Sequence, residues 1–324
     1  MSLPERVAVI GCGVIGSGWA SRFLLNGVDV AITDPSADAG RVVAEVLANA
    51  TRAWDALGLS THNQGALFMA SSIAEAVAGA DFIQESVPER LATKHAVLAE
   101  IEAAASSDAL VASSTSGFKP TDLQAHMSDP GRLVVGHPFN PVYLLPLVEV
   151  VAGQQTSVAT VNRAMAVYDA AGMKPLHVRV EIEAFIADRL LEAVWREAMW
   201  LVKDGVATTA EIDDAICYGL GLRWAQMGIY ETYRLAGGEA GMRHFIAQFG
   251  EALSWPWTKL TDVPELTEEL IDRIADQSDA QSGRYSIREL ERIRDTNLAG
   301  ILLALEAANW GAGEVLARQR ARLG

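Results

Sequence analysis

Residues 7–16 read V-A-V-I-G-C-G-V-I-G, and this stretch decides the fold. A short apolar run, typical of a buried strand, leads into G-x-G-x-x-G and then into a helical pattern over 14–25. Gly11 permits a tight turn, Gly13 lets the backbone approach a pyrophosphate, and Gly16 lets helix and strand pack closely. The helix N-terminus adds free amides and a positive dipole end for phosphates. The residues predicted to contact a dinucleotide here are Gly11, Gly13, Val14, Ile15 and Gly16.

The next predicted strand, residues 28–33, ends at Asp34, eighteen positions after Gly16. A carboxylate at this position can accept hydrogen bonds from both ribose hydroxyls of an adenosine moiety. The same carboxylate would repel a 2′-phosphate, and Pro35 and Ser36 supply no arginine, so NAD is favoured over NADP. The alternative for Asp34 is a solvated acidic turn residue.

Short β-branched runs alternate with longer helical patterns between residues 6 and 178. Further strands are predicted at residues 81–84, 110–112 and 133–135. This alternation predicts an α/β fold of Rossmann type, a doubly wound parallel sheet with helices on both faces.

The strand pattern ends near residue 180, and residues 181–203 have the period of one long helix. Further helices are predicted at residues 211–218, 240–252, 264–276 and 286–309. We therefore expect an NAD-binding Rossmann domain over residues 1–180 and an all-helical domain over residues 181–324.

The composition narrows the class of partner. The 324 residues carry 26 Lys and Arg against 41 Asp and Glu, a formal net charge of −15, which disfavours nucleic acid and anionic membrane surfaces. No apolar stretch reaches the ~18 residues of a membrane span. Cys12 and Cys217 are too few for a disulfide framework, and neither has the setting of a metal ligand. These features predict a cytoplasmic protein with a small-molecule substrate and no metal.

Two polar clusters follow predicted strands, A-S-S-T-S-G at 112–117 and G-H-P-F-N-P at 136–141. Both are expected at the carboxyl end of the sheet, where doubly wound folds bind ligands. Oxidation of a secondary alcohol needs a base, and a histidine such as His137 can serve at neutral pH. Glu149 lies on the apolar run 147–150, where a carboxylate is costly unless paired, so His137 is its expected partner. The alternatives are that His137 caps a strand end and that Glu149 faces solvent.

Together these motifs resemble the 3-hydroxyacyl-CoA dehydrogenase superfamily over nearly the whole chain. The resemblance implies that His137 is the general base and Glu149 its orienting carboxylate. It implies that Ser116 and Asn140 hydrogen-bond the substrate oxygen. It also implies that the helical domain over residues 181–324 binds the substrate and forms the dimer, so that the protein is a homodimer. It also places two more residues beside the cofactor, Glu89 and Lys94. For Lys94 the alternative is an exposed helical lysine.

One departure from the family pattern bears on the substrate. The family helix usually begins G-F-I-x-N-R, whereas residues 184–189 read A-F-I-A-D-R, so Asp188 replaces an amide. Asp188, Glu192 and Trp195 recur at i, i+4 and i+7, which places two acids and an indole on one helix face. Such a face repels an acyl-CoA and attracts a quaternary ammonium group. The alternative is a solvated acidic stripe beside a core tryptophan.

The residues predicted to contact the substrate are Phe185, Asp188, Glu192, Trp195, Trp224, Tyr230 and Tyr233, with Tyr143 as a further ring. Residues 185–192, 233–245 and 255–260 resemble the L-carnitine dehydrogenase branch of the superfamily. That resemblance implies NAD-dependent oxidation of the 3-hydroxyl of L-carnitine, a cationic 3-hydroxy acid, to 3-dehydrocarnitine. The partner of the substrate carboxylate stays open among Arg189, Arg196 and Arg223.

Two alternatives remain at this point. One is a dehydrogenase of a 3-hydroxyacyl-CoA or of L-gulonate from the same superfamily. The other, from a different class, is a catalytically idle NAD-binding protein of the crystallin type. The joint presence of Ser116, His137, Asn140 and Glu149 disfavours idleness, because a structural role does not require that set.

Overall fold

The computed structural model describes residues 3–225, 228–237, 241–250, 256–258, 265, 267–270, 272–273, 276–277 and 284–323. The strands in this part of the chain are β1 Arg6–Ile10, β2 Asp29–Thr33, β3 Leu67–Met69, β4 Phe82–Glu85, β5 Leu110–Ser113, β6 Leu133–Pro138, β7 Leu147–Val151 and β8 Lys174–Val178. They form one sheet in the order β3-β2-β1-β4-β5-β6-β7-β8. The strand order reverses between β1 and β4, where doubly wound folds bind their ligands. The predicted α/β fold of Rossmann type is confirmed.

The sheet departs from the predicted all-parallel arrangement at one pair, because β6 and β7 run antiparallel. Only residues 139–146 connect these strands, whereas a parallel crossover needs about a dozen residues or more. The strand predicted at 133–135 also continues to Pro138, so His137 lies within β6 rather than after it. The short outer strand β3 and the largely exposed β8 are additions to the predicted set.

Helices cover both faces of this sheet. They are α1 Val14–Leu25, α2 Ala39–Ala56, α3 Ile73–Val77, α4 Leu91–Ala104, α5 Pro120–Gln124 and α6 Val158–Ala170. Neighbouring residues of β4 show the two faces: Phe82 packs with Phe23 of α1 and Tyr168 of α6, while Ile83 packs with Ile101 of α4. Successive side chains of a strand point to opposite faces, so this alternation buries the sheet on both sides.

The later helices are α7 Ala187–Lys203, α8 Thr209–Ala215, α9 Gly221–Trp224, α10 Ile229–Ala236, α11 Gly241–Phe249, α12 Ile287–Ala307 and α13 Ala312–Leu323. Helix α7 begins six residues later than predicted. Ala184 and Phe185 have φ of 58° and 48°, a left-handed conformation that cannot continue a right-handed helix. The helices predicted at residues 240–252 and 264–276 lie partly outside the described residues.

The chain divides into two compact units, Met1–Ile186 with Arg294–Gly324, and Ala187–Ile293. The second unit begins close to the predicted domain boundary at residue 181, and the chain from Arg294 onward groups with the first unit. The Tyr143 hydroxyl donates to Asp295, and the Arg320 guanidinium donates to the carbonyls of Leu57 and Gly58. Within the described residues, no helix is both long and apolar enough to cross a membrane.

Candidate active site

The turn between β1 and α1 is built around its glycines. Gly11 has φ of 105°, and a Cβ there would lie 2.6 Å from the Ser86 carbonyl oxygen. A Cβ on Gly16 would lie 1.9 Å from the Gly11 oxygen, whereas a Cβ on Gly13 would meet nothing within 4 Å. Backbone atoms thus fill the space next to Gly11 and Gly16, whereas the space next to Gly13 is open. Such a turn admits a phosphate close to the backbone.

Asp34 lies beside the same turn, at the end of β2. Its Oδ2 accepts the Cys12 amide at 2.7 Å, and its Oδ1 accepts the Ser36 amide at 2.8 Å. Each carboxylate oxygen has a second lone pair, so Asp34 can still accept two ribose hydroxyls. The residues present therefore fit NAD. Burial, with a smaller contribution from Asp34, raises the pKa of Cys12 to about 12.

A cavity of about 290 Å³ lies beside the first turn of α1. It brings together residues from α1, from the segments after β4 and β5, and from β6. Its lining residues are Ile15, Ser86, Val87, Glu89, Ser114, Ser116, His137 and Pro138. Four of these, Ile15, Glu89, Ser116 and His137, are residues that the sequence predicted. The other four, Ser86, Val87, Ser114 and Pro138, are additions.

His137 and Glu149 face each other as a cross-strand pair in the antiparallel ladder of β6 and β7. His137 Nδ1 lies 2.9 Å from Glu149 Oε2, and Glu149 is completely buried, so the solvent-facing alternative is wrong. The other carboxylate oxygen accepts the Ile186 amide at 2.9 Å. Because Nδ1 donates to Glu149, Nε2 is the ring nitrogen that can act as a base.

Lys94 is not an exposed helical lysine, since only 1% of its surface is accessible. Its Nζ lies 2.9 Å from Glu85 Oε1 and 3.3 Å from Glu89 Oε2. Glu85 is completely buried, and sequence reasoning missed it. Glu85 lies on the mostly apolar strand β4. An unpaired carboxylate is costly on such a strand, and this signal, which predicted the pairing of Glu149, could have predicted that of Glu85.

Glu89 organises the segment that carries Ser116. Its Oε1 accepts the amides of Ser116 and Gly117 at 3.2 and 3.1 Å, as well as the Thr115 hydroxyl. The Glu85 and Lys94 pair thus orients Glu89, and Glu89 holds the Ser116 segment at the wall of the cavity.

Three other predicted residues of the first unit lie in different surroundings. Asn140 is exposed just after β6 and is not among the residues that line the cavity. Phe185 is completely buried, with its ring 5.6 Å from that of His137. Tyr143 as a substrate ring is wrong, because it is buried in the core with its hydroxyl 2.6 Å from Asp295. Burial there raises the pKa of Tyr143 well above its usual range.

The remaining predicted substrate residues belong to the second unit. Asp188 lies in the first turn of α7, where the helix dipole favours a carboxylate, and Glu192 follows one turn later, half-buried. Trp195 is 57% exposed, so the alternative of a core tryptophan is wrong. Tyr233 stacks on Phe245 with ring centroids 4.6 Å apart. The exposed rings of the set are Trp195, Trp224, Tyr230 and Tyr233.

Comparison with known proteins places these features in a family. The family model for the 3-hydroxyacyl-CoA dehydrogenase NAD-binding domain matches residues 6–182, and the model for the C-terminal domain of the same family matches residues 185–276. The fold and the nucleotide turn thus define the class of NAD-dependent dehydrogenases.

Individual relatives agree with this class. An L-carnitine dehydrogenase of Mesorhizobium japonicum is 60% identical over 97% of this chain and 88% of its own. An L-carnitine dehydrogenase/betainyl-CoA thioesterase of Agrobacterium fabrum is 63% identical over 96% of this chain, which spans 64% of that longer protein. A solved NAD+-dependent 5-formyl-3-hydroxy-2-methylpyridine 4-carboxylic acid 5-dehydrogenase superposes with a TM-score of 0.74 at 29% identity, covering 100% of this chain and 99% of its own. The chain belongs to the 3-hydroxyacyl-CoA dehydrogenase family.

Proposed function

We propose that this enzyme oxidises the 3-hydroxyl of L-carnitine to 3-dehydrocarnitine and reduces NAD. The observation that carries the proposal is Asp188, a carboxylate in the first turn of α7 where the family usually has an amide. A carboxylate favours a substrate with a cationic tail over an anionic acyl-CoA. The names of the Mesorhizobium japonicum and Agrobacterium fabrum relatives support the same substrate.

The chemistry that we propose rests on His137 and Glu149. His137 Nε2 takes the hydroxyl proton of the substrate as the hydride leaves C3. Glu149, 2.9 Å from Nδ1, stabilises the imidazolium that forms and fixes the ring orientation. When NAD is bound, its nicotinamide supplies the hydride acceptor. Ser116, held by Glu89, and Asn140 are proposed to hydrogen-bond the substrate oxygen.

Chain connectivity supports Asp188 as the group that binds the ammonium end. Ile186 donates its amide to Glu149, the carboxylate that holds the base. Asp188 follows Ile186 by two residues in the sequence. We propose that Asp188 acts with Glu192 and the aromatic rings of the second unit. A desolvated contact between an ammonium and an aromatic face contributes about 2 kcal/mol.

A substrate panel tests the proposal. We expect NADH formation, followed at 340 nm, with L-carnitine, and much slower formation with D-carnitine, 3-hydroxybutyryl-CoA and L-gulonate. Faster reduction with the acyl-CoA or the sugar acid would assign the enzyme to that branch instead. Tight NAD binding without NADH formation on any of the four would support the idle protein.

Two further expectations belong to the proposal. Helix α7 exposes a set of large apolar side chains, and a contiguous apolar patch is typical of a protein interface. They include Leu190, Leu191 and Val194. Together with the family resemblance, these exposed apolar side chains support a homodimer.

The acidic composition and the two cysteines support a cytoplasmic location.

A further inference from the structure

A chain of polar side chains crosses the core of the first unit and ends at the candidate active-site cavity. Ser114 Oγ is its centre. It lies 3.1 Å from Trp19 Nε1, 2.8 Å from Gln84 Nε2 and 2.9 Å from Ser86 Oγ. Trp19 and Gln84 are completely buried, whereas Ser86 and Ser114 line the cavity.

The orientation of the Gln84 amide follows from its other neighbours. The Tyr168 hydroxyl donates to Gln84 Oε1 at 2.7 Å, and burial raises the pKa of Tyr168, so its proton stays in place. Gln84 Nε2 faces the Gly136 carbonyl oxygen at 3.5 Å, and a carbonyl only accepts. Gly136 makes room for this arrangement, because a Cβ there would lie 1.8 Å from the Tyr168 hydroxyl oxygen. Gln84 therefore presents its NH₂ group, not its oxygen, to Ser114.

The directions of the Ser114 and Ser86 hydroxyl protons follow from counting the donors and acceptors around Ser114. A serine hydroxyl carries one proton and two acceptor lone pairs. Both lone pairs of Ser114 are taken by N–H donors, so its own proton goes to Ser86 Oγ. Ser86 is then the acceptor of that bond and keeps its own proton for another partner. Among the described residues, Ser86 Oγ contacts no further hydrogen-bonding group, and its side chain lines the cavity.

The position of Ser86 indicates which ligand accepts its hydroxyl proton. A Cβ on Gly11 would lie 2.6 Å from the Ser86 carbonyl oxygen, and a Cβ on Gly16 would lie 3.3 Å from the Ser86 Cβ. Ser86 thus packs directly against the glycine-rich turn, and it also lines the cavity. We propose that Ser86 is a directed hydrogen-bond donor to an oxygen of bound NAD. Trp19, Gln84 and Ser114 fix the direction of its proton.

Binding of NAD+ measured by titration calorimetry tests this proposal without any substrate. Ser86→Ala removes the donor and should weaken NAD+ binding about 3- to 10-fold, the range of a neutral hydrogen bond. Gln84→Glu keeps the side-chain shape, and its ionised carboxylate accepts the Ser114 proton, which turns the Ser86 proton away from the cavity. Because burial raises the pKa of such a carboxyl, the titration is run at alkaline pH, where the carboxyl is ionised. This variant should weaken NAD+ binding by a similar factor. In the Ser86→Ala background, Gln84→Glu should have no further effect.

The matched control is Gln124→Glu, since Gln124 is another buried glutamine of the same unit but lies outside this chain of hydrogen bonds. It should leave NAD+ affinity unchanged. If Gln84→Glu loses its cooperative thermal transition, Gln84→Met replaces it. Methionine frees one lone pair of Ser114 and should weaken binding about twofold, again only when Ser86 is present.

Three results would overturn the proposal. The first is wild-type NAD+ affinity in Ser86→Ala. The second is an equal loss from the Gln84 variant with and without Ser86, which would indicate a general effect of the new charge. The third is an effect of Ser86→Ala on the KM of the alcohol substrate alone, which would assign the proton to the substrate.

Discussion

In the first unit His137 is buried, and its ring is oriented by Glu149. Glu149 is fixed in turn, because it also accepts a hydrogen bond from the Ile186 amide. In the second unit the predicted substrate rings are exposed, and Trp195 has 57% of its surface accessible. Reacting groups must keep one geometry, and buried hydrogen bonds provide it. Exposed rings on a helix can change without disturbing that geometry. Under the proposed function, the first unit supplies the chemistry and α7 the preference for a substrate.

The largest effect that we expect is on the base. His137→Gln should lower kcat about 10²- to 10⁴-fold, because no group then takes the hydroxyl proton. Steady-state NADH formation measures this, with NAD+ affinity by calorimetry as the control that the fold is intact. Near-normal turnover would remove His137 from the mechanism.

A smaller loss of kcat is expected from a change at Glu149, the residue that orients the base. Glu149→Gln leaves the imidazole in place but removes the charge that stabilises the imidazolium, so kcat should fall ~10²-fold, the lower end of the contribution of acid–base catalysis. Thermal unfolding of the same variant separates this from a loss of folding. If kcat stays within a factor of two while the protein remains folded, Glu149 has only a structural role.

On α7 the expected effect is on specificity rather than on the chemical step. Asp188→Asn should lower kcat/KM for L-carnitine about 10- to 100-fold and leave NAD+ affinity unchanged, because the ammonium loses its counter-charge. Asp214→Asn, at an exposed acid of α8 in the same unit, is the matched control. Equal behaviour of the two variants would reject the cation site.

The smallest effect concerns the two cysteines, one in each unit. Burial raises the pKa of Cys12 to about 12, so at pH 8 almost none of it is the reactive thiolate. Iodoacetamide should therefore modify the exposed Cys217 first and leave Cys12 unmodified until the protein is unfolded. Peptide mass spectrometry reads out both sites. Early modification of Cys12 in the native protein would show that the nucleotide turn opens.

Much of the first unit could be predicted because its signals are local. The glycine spacing predicted α1 with the bounds that the structure shows, Val14–Leu25. The cost of a lone carboxylate on an apolar strand predicted that Glu149 pairs with His137, and the antiparallel register places them opposite each other.

Two features of the structure could not be predicted, because one depends on long-range packing and the other on single backbone angles. Asp295 and Arg320 bind residues more than 150 positions earlier, and no local pattern signals that return to the first unit. The late start of α7 depends on left-handed angles at Ala184 and Phe185, which are rare for such residues.

The central claim is that a negatively charged site selects a cationic alcohol. The most direct test replaces the ammonium nitrogen of L-carnitine by carbon, which gives 3-hydroxy-5,5-dimethylhexanoate, of the same shape but without the positive charge. We predict that wild-type kcat/KM favours L-carnitine over this analogue at least ~30-fold, the factor that corresponds to about 2 kcal/mol, and that Asp188→Asn removes most of the preference. Equal kcat/KM for the two compounds in the wild-type enzyme would contradict the account.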